Sequence, residues 1–179
     1  MSKKSKRPEI LQAAARVIQN KGVLNLTLEA VAEEANVSKG GLLYHFPSKE
    51  ALIEGMVHYL MDTYVERIRT DAENDPMEKG KWTRAFIRET FKQSYTNREM
   101  NASLLAAVAV NPDLLEPIKN AYREWQQHIE KDGLDAVDAT ILRLATDGLW
   151  LSGLFGLAPL DDDSRREILN TLIERTKEI

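Results

Sequence analysis

The 179-residue sequence predicts an all-α protein of about nine helices, on three observations. Apolar residues recur at spacings of three and four rather than two. Ser, Thr and Asp stand where helices would begin, and Gly, Asn or Pro where they would end. No repeat, low-complexity run or alternating strand pattern breaks the sequence. The length allows a sizeable core. Net charge is −4, unevenly spread: through Lys49 there are eight Lys/Arg against four Asp/Glu, and beyond it sixteen against twenty-four. A basic head on an acidic body suits a protein that meets a polyanion at one end only. Cysteine is absent, which excludes disulfides, thiolate metal sites and a cysteine nucleophile. No apolar run approaches the ~20 residues of a membrane span, and no signal-peptide pattern marks the basic start, so a soluble cytoplasmic protein is expected.

Residues 1–7, MSKKSKR, read as a basic arm, either for phosphate or minor-groove contact or as a solubilising tail. Pro8 suits the first turn of a helix; Ile10, Ala14, Val17 and Ile18 line one of its faces and Gly22 closes it. Thr27 caps a second, short helix striped by Leu28, Val31, Ala32 and Ala35. Asn36 fits the left-handed conformation that ends it, and Val37 packs back. Ser38 caps a third helix carrying Lys39, Gly40, Gly41, Leu42, Leu43, Tyr44 and His45, which Pro47 stops. Ser48 then caps a fourth, with Lys49, Glu50 and Ala51 in its first turn.

Two short helices joined by a tight turn follow the grammar of a helix-turn-helix, whose second helix enters the DNA major groove. Gly40 and Gly41 each cost that helix about 1 kcal/mol relative to Ala. Packing alone would avoid them, whereas close approach to a nucleic acid uses them. Lys39, Tyr44, His45 and Lys49 add donors suited to phosphates and base edges. The alternative is an ordinary helical hairpin with a solvated basic end.

The fourth helix runs from Lys49 to about Glu73, with Leu52, Met56, Tyr59, Leu60, Thr63 and Ile68 along a stripe, and links head to body. Glu54, His58 and Asp62 share one face of it and read as solvated charge rather than a metal site. Asn74-Asp75-Pro76 breaks it. A helix over about Lys79 to Tyr95 carries Trp82 with Phe86 on one face, and Ile87, Phe91 and Tyr95 on the next. Asn101 to Asn111 has no charge and reads as a buried helix ended by Pro112. Pro117 delays the helix whose inner face is Leu115, Ile118, Tyr122, Trp125 and Ile129. Asp138 to Leu157 is a second nearly all-apolar helix, broken by Pro159, in which Ile141, Ala145, Gly148, Ser152 and Phe155 alternate bulk with small residues. Asp161 to Ser164 starts the last helix, its acids facing the N-terminal dipole. Ile168, Leu169, Leu172, Ile173 and Thr176 form its apolar face.

Thr27, Ala35-Asn36-Val37-Ser38, Gly40-Gly41-Leu42-Leu43-Tyr44-His45-Phe46 and Lys49-Glu50-Ala51-Leu52 together resemble the DNA-binding signature of the tetracycline-repressor (TetR) family of bacterial regulators. Asn36 stands for the family's common Gly, and Leu43 for its more usual Tyr. The motif covers about the first third of the chain. The resemblance implies a DNA-binding domain over residues 1–48 and a ligand-binding and dimerisation domain over 49–179. It implies double-stranded operator DNA contacted by Thr27, Ser38, Lys39, Gly40, Gly41, Leu42, Tyr44, His45 and Lys49. It implies a homodimer joined through the last two helices, by Ile141, Ala145, Gly148, Ser152, Phe155, Leu169, Leu172 and Ile173.

Two nearly all-apolar helices exceed what a body of about 130 residues needs for its own core, so a ligand, a second subunit or both should cover them. An unidentified, largely apolar small molecule is expected, with Trp82, Phe86, Tyr95, Met100, Leu104, Tyr122, Trp125, Asp147 and Trp150 as pocket walls; plain core packing is the alternative for each. Asp147 needs a partner within its apolar helix, a ligand donor or Arg143 one turn back. No cofactor or metal is called for. His45, His58 and His128 lie on different helices with no nucleophile or ligand spacing around them, which leaves an enzyme without support. The expected function is that of a transcriptional repressor released from its operator by a ligand; DNA binding without ligand control is the variant.

Overall fold

The computed structural model describes residues 5–96 and 111–178, and among these the regular elements are eight α-helices and two single 3-10 turns, with no strand. The expected Asn101–Asn111 helix falls almost wholly outside the described residues. The chain divides into two units: Met1–Asp62 with Glu99–Ile118, and Thr63–Arg98 with Lys119–Ile179.

In the first unit, helix α1 spans Arg7–Lys21, α2 Leu28–Glu34 and α3 Lys39–His45, followed by the start of α4, Lys49–Glu73. Arg7, expected in the basic arm, is thus the first residue of α1. Lys6 occupies the N-cap position of α1 without a side-chain capping bond and pairs with Glu9, while Arg7 lies over the Phe46 ring, 5.1 Å from its centroid. The three following helices start on hydroxyl caps: Thr27, Ser38 and Ser48 each accept an N–H three residues on, from Ala30, Gly41 and Ala51, at 3.1 Å. Asn36 ends α2 at φ +51°, and the Val37 N–H returns to the Ala32 carbonyl at 3.0 Å. Ile10, Ala14, Val17, Leu26, Val31, Leu42, Phe46 and Leu52 form the core. Gly55 lets α4 close on it: a Cβ there would stand 2.6 Å from the Phe46 ring. Met56 and Val57 are buried in the same core, and this unit runs along α4 to Asp62.

The second unit contains the rest of α4, α5 (Lys81–Thr96), most of α6 (Leu115–Glu130), α7 (Ala136–Phe155) and α8 (Asp162–Glu178). Helix α5 packs on α7 and α8 through Ile87, Phe91, Leu142 and Leu172. It starts two residues later than expected, because Gly80 sits at φ +79° and donates its N–H to the Asp132 carbonyl at 2.8 Å. No side chain fits there: a Cβ would meet Arg84 Nη1 at 2.8 Å. The Asp132 carboxylate caps α5 from fifty residues away, accepting the N–H groups of Trp82 and Thr83 at 3.1 and 2.8 Å. Burial raises that carboxyl against those two bonds. Helix α7 starts earlier than expected because Asp135 accepts the Val137 and Asp138 N–H groups.

Arg84 is 2% exposed and spends all five guanidinium N–H bonds inside the unit. Two go to Asp75, at 2.9 and 2.7 Å, and the others to the Met77 and Lys79 carbonyls and the Thr176 hydroxyl. Arg88 adds a 2.6 Å bond to Asp75 and one of 2.7 Å to Asp71. Burial alone would raise the Asp75 carboxyl, but the hydrogen bonds from Arg84 and Arg88 hold it well below the usual carboxylate range. With its native pKa depressed, Asp75 contributes stability in full above about pH 4 and loses it as pH falls toward the native value.

Replacing Arg84 by Met leaves Asp75 buried without its main partner. The unfolding free energy should drop by about 3–5 kcal/mol, the usual cost of removing one side of a buried pair. The urea midpoint measures this; a midpoint like the parent's would show that the α4–α5 loop is held by something else.

Candidate nucleic-acid interface

Helix α3 has one inward and one outward face. Leu42 is 0% exposed and packs in the head core with Val31 and Phe46. It cannot touch DNA, a correction to its expected role; on so short a helix, one residue had to anchor the other six. Thr27, Ser38, Lys39, Gly40 and Gly41 are exposed, and Tyr44 is 85% exposed with its ring edge-on to His45 at 5.1 Å. His45 and Lys49 are half-buried. The Thr27 and Ser38 oxygens accept cap N–H bonds, yet each hydroxyl keeps its own proton to donate. At Gly40 a Cβ would meet nothing within 4 Å, whereas at Gly41 it would meet Ser38 Oγ at 3.2 Å. So Gly40 faces open space, and Gly41 is close to the cap.

Sequence reasoning missed Glu29. It lies in the first turn of α2, and its Oε1 is 2.7 Å from Lys39 Nζ, both side chains exposed. The hydrogen bond from Lys39 is the chief cause that lowers its carboxyl pKa. Only the fold, bringing the starts of α2 and α3 together, reveals this pair.

In the second unit, three expected pocket residues meet. The Trp125 ring lies 4.9 Å from Tyr122 and 5.4 Å from Phe86. Tyr64 joins them edge-on at 4.9 Å, its hydroxyl bonded to Thr90. Tyr64 was legible, lying four residues after Leu60 and four before Ile68. Asp147 takes Arg143 at 2.8 Å and the Tyr122 hydroxyl at 2.9 Å, the internal partnership the sequence allowed. Burial raises the Asp147 carboxyl against those two bonds. The Trp125 indole N–H is buried without an acceptor. Trp82 instead stacks on His128 at 3.9 Å, and Trp150 is half-buried on α7. The Tyr95 side chain, Met100 and Leu104 lie outside the described residues. Among the described residues no group of His, Asp or Glu is arranged to hold a metal, and no helix is long and apolar enough to cross a membrane.

Helix α7 leaves a seam of Val137, Ile141, Leu144, Gly148, Leu151 and Phe155 exposed, at alternating spacings of four and three; Ile141 and Phe155 are 55% and 58% exposed. Ala145 is exposed and Ser152 half-buried beside it. On α8, Leu169 and Ile173 are half-buried in the protomer and Leu172 is buried. Leu172 is buried with Ile87, Phe91 and Leu142 of the same protomer, and Leu169 and Ile173 pack against that cluster. An amphipathic helix first uses its apolar stripe to dock on its own unit, which leaves Arg166, Asn170 and Glu174 outward.

Residues 10–56 match the family model described as bacterial regulatory proteins, tetR family. Residues 80–177 match that described as tetracyclin repressor-like, C-terminal domain. The chain belongs to the tetR family. Members of this family are transcription regulators and not enzymes. Among relatives, the nucleoid occlusion factor SlmA of Vibrio vulnificus is 37% identical over 82 residues, 44% of this chain and 42% of that protein, so the chain spans under half of its length. The HTH-type transcriptional regulator BetI of Burkholderia cenocepacia is 25% identical over 182 residues, covering 94% of this chain and 92% of that protein. A candidate transcriptional regulator from Saccharomonospora viridis, in complex with choline, has the same fold: TM-score 0.74 and 24% identity, over 94% of this chain and 95% of that one.

The two faces of α3 separate stability from recognition. Leu42→Ala should cost about 2–5 kcal/mol by opening a cavity in the head core. Tyr44→Ala, at a ring that packs on little, should stay within about 0.5 kcal/mol of the parent. Thermal melts of the two variants test this, and similar losses for both would mean that α3 is turned differently.

Proposed function

We propose that this tetR-family chain is a homodimeric, cytoplasmic transcriptional repressor that binds double-stranded operator DNA through α3 and leaves it when a small molecule occupies the second unit. The observation that carries this reading is the outward face of α3. Among the described residues, Lys39, Gly40 and Tyr44 lie exposed on α3, while Leu42 is buried in the head core. Thr27, Ser38, Gly41, His45 and Lys49 complete the surface; Lys49 stands in a helix first turn, where a phosphate meets both ammonium and dipole. On this reading residues 1–48, with Lys49 at the boundary, carry the DNA contact, and residues 49–179 carry ligand binding and dimerisation.

The α7 seam supports the homodimer. Six positions with a seven-residue repeat, apolar or small, are what a helix of a second copy would cover. Small residues at Ala145, Gly148 and Ser152 allow close approach. Two recognition helices would then enter successive major grooves about 34–36 Å apart. A ligand that favours one spacing over the other shifts the population between them. Helix α4, which contributes residues to both units, is the element to carry that shift. Phe86, Tyr122, Trp125 and Asp147 are the pocket walls we favour, joined by Trp82, Trp150, Tyr95, Met100 and Leu104. The free Trp125 N–H offers a bound molecule a donor, and aromatic rings suit an apolar body or an alkylammonium group. Choline in the S. viridis neighbour supports a small-molecule site in this fold.

Incubating the protein with sheared bacterial genomic DNA and sequencing what it retains should return a few fragments sharing a two-fold-symmetric site. Uniform retention would end the claim of sequence specificity. Gly40→Glu, in open space, should keep the melting temperature and lose that site; nuclease protection by the variant would move the recognition surface off α3. Gly148→Arg also meets open space in the protomer. It should give a folded monomer by light scattering, with far weaker operator binding because the half-sites are no longer held together. A Gly148→Arg dimer would place the interface elsewhere.

A further inference from the structure

Among the described residues of the head, three ion pairs bring a carboxylate to a cation. Glu9 meets Lys6 within α1, and Glu34 meets Arg16 of α1; both serve the scaffold. The third is different in place. Glu29, in the first turn of α2, holds Lys39, the first residue of α3, at 2.7 Å. A carboxylate on a surface that meets phosphates lowers affinity for DNA in general, and a lysine paired with it carries that negative charge along to any phosphate it reaches. For helix stability Glu29 needs no lysine, since an acid in the first turn already favours the dipole.

Resting on the DNA-binding reading above, we propose that Glu29 is a specificity-determining residue, which holds Lys39 away from phosphates and reads a G·C base pair jointly with it. The chemistry follows from what each partner lacks on DNA. On an unselected duplex, Lys39 can donate to a phosphate only with the Glu29 carboxylate beside it, whose charge is repelled by the backbone. The major-groove edge of a G·C pair presents guanine O6 and N7 as acceptors beside the cytosine N4 donor. There the ammonium can donate to guanine while the carboxylate accepts from cytosine, and both keep a partner. An A·T or T·A pair offers its donor and acceptor as well, but its thymine methyl occupies the place beside the acceptor. The ion pair thus weakens binding everywhere except at a matching step.

Glu29→Gln keeps the shape and removes the charge. It should bind random-sequence duplex about two- to fivefold more tightly, the scale of an exposed pair. The salt dependence on that duplex should steepen by about 0.9, one added phosphate contact. In the sequences retained from a randomised half-site library, one G·C preference seen with the parent should relax. In a Lys39→Gln background the same change should no longer alter the base preference, and only the smaller gain from losing one negative charge should remain. Equal salt slopes and unchanged sequence preference for Glu29→Gln and parent would overturn the inference while leaving DNA binding intact. An undiminished effect of Glu29→Gln without Lys39 would overturn it too, by reducing Glu29 to bulk charge. If the parent itself retains no duplex from the library, the DNA-binding reading fails, and this inference with it. Circular dichroism of each variant confirms that the head is folded before binding is compared.

Discussion

Seven-residue helices do not persist alone in water, because nucleating a helix costs more than so few hydrogen bonds return. Helices α2 and α3 are both of that length, so each exists only through what it buries. Val31 and Ala32 anchor one, Leu42 the other, and both meet the core of α1 and the first turns of α4. Phe46 closes that core beneath Arg7 and against the bare backbone of Gly55. Everything proposed for the surface of α3 depends on this inward anchoring. With Leu42 fixed, Lys39, Gly40 and Tyr44 are presented in one orientation, and none of them has to hold the helix in place.

The second unit is organised by a different constraint. A guanidinium removed from water is costly unless every N–H finds an acceptor. Arg84 meets that demand with partners from the α4–α5 loop and from Thr176 near the end of α8. Asp132 adds a cap to α5 from the α6–α7 loop. Polar groups therefore fix where α5 begins and which residues lie opposite it. The apolar contacts of Ile87, Phe91, Leu142 and Leu172 then fill the space between α5, α7 and α8. Specific polar geometry and non-specific burial divide the work.

Helix α7 shows what a protomer leaves undone. Its buried side, with Ala139, Leu142, Thr146 and Leu154, belongs to the unit's own packing. Its other side is nearly as apolar and stays exposed among the described residues. Helix α8 makes the opposite choice, apolar inside and polar outside. The pair thus supplies an apolar seam flanked by charged and amide groups, the usual composition of an interface core and its rim.

The sequence by itself determined the elements and most of their ends. Hydroxyl caps at Thr27, Ser38 and Ser48, the left-handed Asn36, and the long α4 from Lys49 to Glu73 were all legible, because each rests on interactions within a few residues. So was α3, with two glycines and its exposed donors on so short a helix. The tertiary structure decided what depends on distant pairing. It turned Leu42 into the core, directed Leu172 to its own protomer, capped α5 with Asp132, and joined Glu29 to Lys39. Periodicity tells which residues share a face; it does not tell which of two apolar faces the protomer covers, nor which charge a neighbouring helix brings within reach. Those outcomes depend on how helices pack in space, where residues tens of positions apart compete for one partner.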